Sequence, residues 1–135
     1  MKFTLLWKKK PRPEHEYVYV AINQVDKTVL NYHVGLRNKT NTKIFLNKLF
    51  RTNQNIEIVH SDAFKPYKPI LRNRGVEHTT VKYLTTHIES LNSILRHRLS
   101  TFNRRSRNIS KSKMNFILIL NLFFFRYNIK ISNMN

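Results

Sequence analysis

The chain has 135 residues, the size of one domain, and 25 lysines and arginines against seven acids give it a net charge of +18. A hydrophobic fraction of 41% is sufficient for a folded core, so this charge predicts a polyanionic partner, most economically nucleic acid, rather than disorder. The absence of cysteine excludes disulfides and thiolate metal sites, and two glycines are too few for a glycine-rich phosphate loop or a dinucleotide fingerprint.

The first half of the chain predicts three strands. Residues 3–7 (FTLLW) read as a short strand, which the prolines of KKKPRPEHE end because proline cannot donate to a ladder. Residues 17–23 (YVYVAIN) are aromatic and β-branched almost throughout, which is typical of a strand buried on both faces. Residues 28–35 follow a turn and pair back. We therefore predict an antiparallel meander.

The next segment predicts a helix between strands. Residues 40–53 carry Ile44, Phe45, Leu49 and Phe50, a pattern that suits an amphipathic helix capped by Thr40 or Asn41. A strand is predicted over 56–62, then a turn-rich connection with a single helical turn, then a strand over 76–83. This strand–helix–strand crossover predicts two parallel strands after the meander.

Two helices complete the predicted elements. Thr85 or Thr86 would cap a long helix with one apolar stripe, formed by Ile88, Leu91, Leu95, Leu99 and Phe102. A basic connector at 103–113 leads to a final helix over 114–127, which is too short and too interrupted by asparagine to span a bilayer. The fold class is therefore α/β: a mixed sheet of three antiparallel and then two parallel strands with flanking helices and a C-terminal helical extension, the element order of ribonuclease H-like folds.

Two of the seven acids stand out as site candidates. Five are expected to solvate loops and strands or to shape a turn: Glu14, Glu16, Asp26, Glu57 and Glu77. Asp62 follows an apolar strand at its carboxyl end, where open α/β sheets place ligand sites, although it could also cap the following turn. Glu89 lies three residues after Thr86, which also matches a capping box.

Basic and amide side chains surround Glu89 in the sequence. Glu89, Asn92 and Arg96 share one helical face because they are three and four residues apart. Further cations follow along the chain, and they suit phosphate contacts: Arg98, Arg104, Arg105, Arg107 and Lys111. His60 and His87 lie close to the two acids and could support them, although single histidines are more often packed or solvent-facing.

The chain resembles the catalytic domain of insertion-sequence-one-type DDE transposases. The matching residues are Asp62 with Phe64 and Tyr67 behind it, and then an ordered series from 88 to 112: Ile88, Glu89, Asn92, Leu95, Arg96, Arg104, Arg105 and Ser110-Lys111-Ser112. The segment YVYVAINQVDKTVLNYHVGLRNKT is similar to the family's second and third strands. The resemblance therefore covers most of the chain.

The resemblance implies a ribonuclease H-like fold and Mg²⁺- or Mn²⁺-dependent cleavage and transfer of DNA strands. Asp62 and Glu89 would be the second and third carboxylates of a triad that holds two metal ions. Asn92 and Arg96 would orient the acid or contact the scissile strand, and the later cations would grip phosphates: Arg98, Arg104, Arg105, Arg107 and Lys111. The implied partners are the DNA of element ends and target, and further copies of the chain.

One departure from the family pattern concerns the first Asp, which belongs on the first strand beside the strand that ends at Asp62. No acid precedes Glu14, so Met1 is expected to begin just beyond that Asp. We hypothesise a C-terminal part of a transposase, either a truncated remnant or one half of a product that a frame change completes with an upstream-frame partner. Residues 1–111 would be the catalytic domain and 112–135 a C-terminal helix and tail.

Other functions stay open at this point. A non-catalytic DNA-binding remnant would occupy element ends without cutting, and an unrelated basic protein associated with RNA would share only the charge. The basic flank of MKFTLLWKKKPRP follows its apolar run, the wrong order for a signal peptide. We therefore expect a cytoplasmic, nucleoid-associated protein of a prokaryote, without a membrane partner.

Overall fold

A computed structural model describes residues 2–5, 16–80, 86–98 and 113–134. These residues form five strands and four helices. In chain order they are β1 (Lys2–Leu5), β2 (Glu16–Ile22), β3 (Val29–Leu36), α1 (Lys39–Thr52), β4 (Ile58–His60), α2 (Tyr67–Asn73), β5 (Glu77–Thr79), α3 (Thr86–Arg98) and α4 (Lys113–Met134).

The strands form one five-stranded sheet in the order β3-β2-β1-β4-β5. Strand β2 pairs antiparallel with both β1 and β3, whereas β4 runs parallel to β1 and β5 runs parallel to β4. Helices α1 and α2 provide the connections into β4 and β5, as parallel pairing requires a crossover. The predicted α/β class and mixed sheet are confirmed.

Strand β2 is buried on both faces, as its sequence predicts. Every residue from Tyr17 to Ile22 is buried. Because neighbouring side chains of a strand point to opposite faces, Tyr17, Tyr19 and Ala21 pack with α1 and α2 in one core cluster. Val18, Val20 and Ile22 pack with α3 and α4 in a second cluster. The sheet is therefore the middle layer between two pairs of helices.

Helix α1 begins one residue earlier than predicted, and its cap is neither Thr40 nor Asn41. Asn38 has an extended backbone (φ −142°), and its side-chain oxygen accepts a hydrogen bond from the Asn41 amide at 2.8 Å. This geometry satisfies one of the donors that a helix start leaves open. The buried side of the helix also differs from the prediction, because Phe45, Leu46 and Leu49 face the sheet while Ile44 is exposed.

Helix α2 is longer than the single turn that the sequence predicts. Its seven residues place Tyr67 and Leu71 four positions apart, and both are buried in the cluster with α1. Strand β5, by contrast, is shorter than the predicted 76–83: it ends at Thr79, and residues 81–83 lie outside the described ranges.

Helices α3 and α4 cover the opposite face of the sheet. The predicted stripe of α3 is confirmed for Ile88, Leu91 and Leu95, which are buried, while Leu99 and Phe102 lie outside the described residues. Helix α4 continues to Met134 rather than ending at 127. Asn128 holds it to the edge of β3 by accepting a hydrogen bond from the Val29 amide (2.7 Å) and donating one to the Val29 carbonyl (2.9 Å).

The remaining predictions for this region concern the domain boundary and the membrane. The predicted boundary at 111/112 falls outside the described residues. Among the helices that the structure describes, none combines the length and apolar character that crossing a bilayer requires.

Candidate active site

Asp62 lies at the carboxyl edge of the parallel half of the sheet, directly after β4. The preceding residue still pairs with β5, through a hydrogen bond from the Ser61 amide to the Thr79 carbonyl (3.1 Å). One carboxylate oxygen of Asp62 accepts a hydrogen bond from the Phe64 amide at 3.1 Å, and the other accepts one from Arg37 at 3.2 Å. The first bond fixes the turn after the strand, and the second is an ion pair.

Arg37 is the functional-site residue that sequence reasoning missed. It follows β3 immediately, and its guanidinium stacks on the Phe64 ring at 4.3 Å from the ring centre. The Arg37 and Asp62 side chains remain 32% and 34% exposed, so solvent screens the pair and its contribution to stability is at most about 1 kcal/mol. The buried Nε of Arg37 has no hydrogen-bond partner among the described residues. The signal that the sequence offered was a basic residue directly after the predicted third strand.

Two buried tyrosines surround this ion pair. Burial raises the pKa of Tyr19 and raises that of Tyr67 well above its usual range, and the negative charge of Asp62 adds to both shifts. The Tyr19 hydroxyl donates a hydrogen bond to the Leu36 carbonyl at 2.9 Å, next to Arg37. Both phenols are therefore protonated at neutral pH, and they form a rigid wall rather than a source of charge.

The histidines of this edge are structural. His60 bonds through Nδ1 to the Thr79 hydroxyl, which links β4 to β5. His78 bonds through Nε2 to the Ser61 hydroxyl, beside Asp62. Burial lowers the pKa of His78, and the charge of Lys68 lowers it further against the opposing effect of Asp62, so the imidazole is neutral at pH 7. The His87 side chain lies outside the described residues.

Glu89 occupies the first turn of α3, on the opposite side of the sheet from α1 and α2. Its side chain is exposed, while its helical neighbours Ile88 and Leu91 are buried. The two residues of the predicted capping box, Thr86 and Glu89, are the first and fourth residues of α3. The residue before the helix, Thr85, lies outside the described residues, as do the side chains of Arg96 and Arg98. Arg104, Arg105, Arg107 and Lys111 also lie outside them.

Asn92 is buried rather than exposed beside Glu89. Its Oδ1 atom has no hydrogen-bond partner within the described part of the chain. A buried acceptor that stays unsatisfied costs about 1–3 kcal/mol, and none of the described residues supplies Oδ1 of Asn92 with a donor. Asn92 lies about one turn of α3 beyond Glu89.

The described residues do not by themselves form a two-ion metal centre. Among them, no group of three or more His, Asp and Glu side chains is close enough to hold a metal ion. Strand β1 lies beside β4, with Lys2 aligned to His60, the last residue of β4. Adjacent strands are about 4.8 Å apart, so an acid there could share an ion with Asp62, but β1 carries none.

Comparisons with known proteins agree with this geometry. The catalytic core domain of BIV integrase is similar in structure, with a TM-score of 0.53 and 14% sequence identity over 76% of this chain and 70% of that one. No curated protein matches the chain. The likeness to the integrase core shows that the fold is ribonuclease H-like.

Sequence comparison gives the family. The profile of IS1 transposases matches residues 8–123, which run from the segment after β1 into α4 and include Arg37, Asp62 and Glu89. This match excludes an unrelated basic protein associated with RNA. The chain belongs to the IS1 transposase family.

Proposed function

We propose that this chain acts in DNA transposition as a DDE-type transposase fragment, which cleaves and transfers DNA strands of an insertion element in the presence of Mg²⁺ or Mn²⁺. The observation that carries the proposal is the position of Asp62. It lies at the carboxyl end of β4, next to β1, in a ribonuclease H-like sheet that belongs to a transposase family. The net charge of +18 supports DNA as the partner.

The roles that we assign follow from the resemblance to the family and from the place of each residue in the sequence. Asp62 and Glu89 are the carboxylates that would supply oxygen ligands to a divalent ion, and a two-ion centre requires a further carboxylate beside Asp62. Asn92 orients Glu89, and Arg96 contacts the scissile strand. The remaining cations bind phosphates: Arg98, Arg104, Arg105, Arg107 and Lys111. With this affinity for DNA, we expect the protein at the nucleoid of a prokaryotic cell.

A second candidate function is DNA binding without cleavage. Two observations favour it: Arg37 already neutralises Asp62, and β1 carries no acid alongside. In this function the chain would bind DNA through its basic residues without cleaving the phosphodiester bonds.

A nicking assay on supercoiled plasmid separates the two candidates. For the proposed transposase, we expect Mg²⁺- or Mn²⁺-dependent nicking, which Asp62→Asn and Glu89→Gln each reduce at least about 100-fold because each removes a metal ligand. Glu57→Gln, which also changes an exposed acid, should nick normally. Circular dichroism checks that all variants are folded.

Each other outcome of this assay has a distinct meaning. Wild-type binding to plasmid without nicking in either metal would establish the DNA-binding candidate. Nicking by Glu89→Gln at the wild-type rate would contradict the metal role of Glu89 and leave it as a helix-cap residue, because glutamine also serves in a capping box.

We also propose that the active form is a homo-oligomer, and α4 supplies the surface. Five exposed apolar side chains are spaced three and four residues apart along one side of this helix. They are Met114, Leu118, Leu122, Phe125 and Ile129, and we call them the outer stripe. Side chains of this size offer of the order of 150 Å² each. The stripe exposes roughly 500 Å² per copy, and pairing with the same stripe of a second copy reaches the roughly 1,000 Å² of a stable interface.

A further inference from the structure

A groove opens beside Asp62, beginning at the next residue, Ala63. It has a volume of about 440 Å³ and is lined by the β4–α2 loop, the start of α2 and strand β5. This volume lies within the range of about 300–1,000 Å³ that small-ligand sites occupy. The groove contains none of the residues that the sequence assigned to DNA binding.

The charge of the groove is positive. Lys65 and Lys68 line it, both are exposed, and no acid is among its lining residues. Asp62 lies next to the groove, but its charge is compensated by Arg37. His78 also lines the groove, but its Nε2 atom is already bonded to the Ser61 hydroxyl. The groove therefore presents two exposed lysines, and such side chains suit a phosphate.

The opposite side of the groove is apolar and rigid. Phe64 is half-buried, and its ring is held between the Arg37 guanidinium at 4.3 Å and an edge-on contact with Tyr67 at 5.8 Å between ring centres. Pro69 extends this wall. Aromatic side chains beside cations are the usual combination in sites for single-stranded nucleic acid, because phosphates meet the cations while sugars and bases meet the apolar surface.

From this combination we infer that the groove binds one nucleotide of a DNA strand, with its phosphate on Lys65 and Lys68 and its sugar or base against Phe64 and Pro69. The inference rests on the proposed function, and it adds the path of the strand. Both lysines and Phe64 belong to the segment that directly follows Asp62, so a strand bound in the groove would pass beside the candidate catalytic carboxylate.

The first test measures binding of a fluorescein-labelled single strand of DNA by anisotropy, at salt concentrations from about 50 to 200 mM. The variant Lys65→Gln/Lys68→Gln should lower the slope of log affinity against log salt by about 1.4, since each phosphate contact to single-stranded DNA contributes about 0.7. The matched control is Lys43→Gln/Lys130→Gln, which removes the same charge from exposed positions of α1 and α4. The control should retain the wild-type slope.

The second test uses thymidine 5′-monophosphate as the ligand and the His78 ring as the reporter, followed by NMR titration. A bound phosphate places negative charge near the imidazole, so the pKa of His78 should rise. In Lys65→Gln/Lys68→Gln this rise should be lost, while the control variant should show it. Inorganic phosphate at the same concentration should give a clearly smaller rise, because it lacks the sugar and base that meet Phe64 and Pro69.

The outcomes separate this inference from the proposed function. If the wild-type protein binds DNA and Lys65→Gln/Lys68→Gln keeps the wild-type salt dependence, as the control variant does, the groove inference is overturned while the proposed function stands. An equal response of His78 to inorganic phosphate and to the nucleotide would likewise overturn it, because the groove would then be an anion site only. If wild-type protein does not bind DNA at all, both fail.

Discussion

At the scale of single residues, the site is governed by how this chain uses its few carboxylates. Asp62 belongs to an ion pair with Arg37 and to the turn that leads to Phe64, so both of its oxygens are engaged. A metal ion that binds Asp62, or a DNA phosphate that binds Arg37, must therefore compete with the ion pair between these two side chains. Glu89, by contrast, projects from α3 with an exposed side chain.

The pKa of His78 leads to a prediction about stability and pH. Burial lowers this pKa in the folded protein below the usual 6.5, so between the two values the unfolded chain binds more protons than the folded one. Stability from this group is therefore fully present above pH 6.5 and is lost as the pH falls through the folded-state value. Urea unfolding at about pH 7.5 and about pH 5 should show this loss in wild type and a smaller one in His78→Gln. Identical pH dependence of both proteins would contradict the prediction.

Asn92 leads to a prediction about stability. Leucine has a similar shape and removes the buried acceptor that has no partner among the described residues. The free energy of unfolding of Asn92→Leu should therefore lie within about 1 kcal/mol of the wild-type value or exceed it. The neighbouring Leu91→Ala should cost about 2–5 kcal/mol, which calibrates the same region by urea unfolding. A loss of more than about 2 kcal/mol in Asn92→Leu would show that the amide supports the fold rather than the site.

At the scale of elements, the directions of the strands explain why the carboxyl ends of β3 and β4 lie at the same end of the sheet: β2 is antiparallel to both β3 and β1, and β4 is parallel to β1. Arg37 leaves the end of β3 and Asp62 the end of β4, and α1 connects the two strands. Gly35 allows this crossing to be tight, because a Cβ atom there would lie 2.1 Å from Oδ1 of Asn41 in the first turn of α1. The position of Arg37 is thus set by the β3–α1 turn.

Helix α4 leads to a prediction about association. It uses one side, through Leu120 and Phe124, to cover the sheet, and it exposes the outer stripe on another. Leu122→Glu should convert an oligomer into a monomer in sedimentation velocity, because a charge would be buried in an apolar contact. The charge-matched Gln54→Glu, at an exposed position after α1, should leave the sedimentation coefficient of the oligomer unchanged. A wild-type protein that sediments as a monomer would contradict the oligomer proposal.

At the scale of the whole molecule, the net charge of +18 acts on stability as well as on partners. Like charges repel in the compact state, and salt screens them, since the Debye length falls from about 30 Å at 0.01 M to about 8 Å at 0.15 M. The free energy of unfolding, measured with urea because urea is uncharged, should therefore increase by roughly 1 kcal/mol over this range of NaCl concentration. Stability that falls or stays constant with added NaCl would contradict this expectation.

The sequence alone determined much of the fold and part of the site. The order of strands and helices, the doubly buried strand β2, the apolar stripe of α3 and the position of Asp62 at a strand end all follow from local patterns. Periodicity and turn chemistry encode these features because each depends on residues within a few positions of one another. Family membership could likewise be inferred from the ordered motif around Asp62 and Glu89.

Only the tertiary structure decided which side chains these residues contact. Arg37 and Asp62 are 25 positions apart and pair because β3 and β4 bring their ends to one edge of the sheet. In the same way, the docking of α3 buried Asn92, and the position of β5 beside β4 set His78 against Ser61 and Lys68. A local pattern states the preference of a segment, whereas these contacts depend on the strand order and on how helices pack across the sheet. That is why the groove beyond Asp62 became visible only in three dimensions.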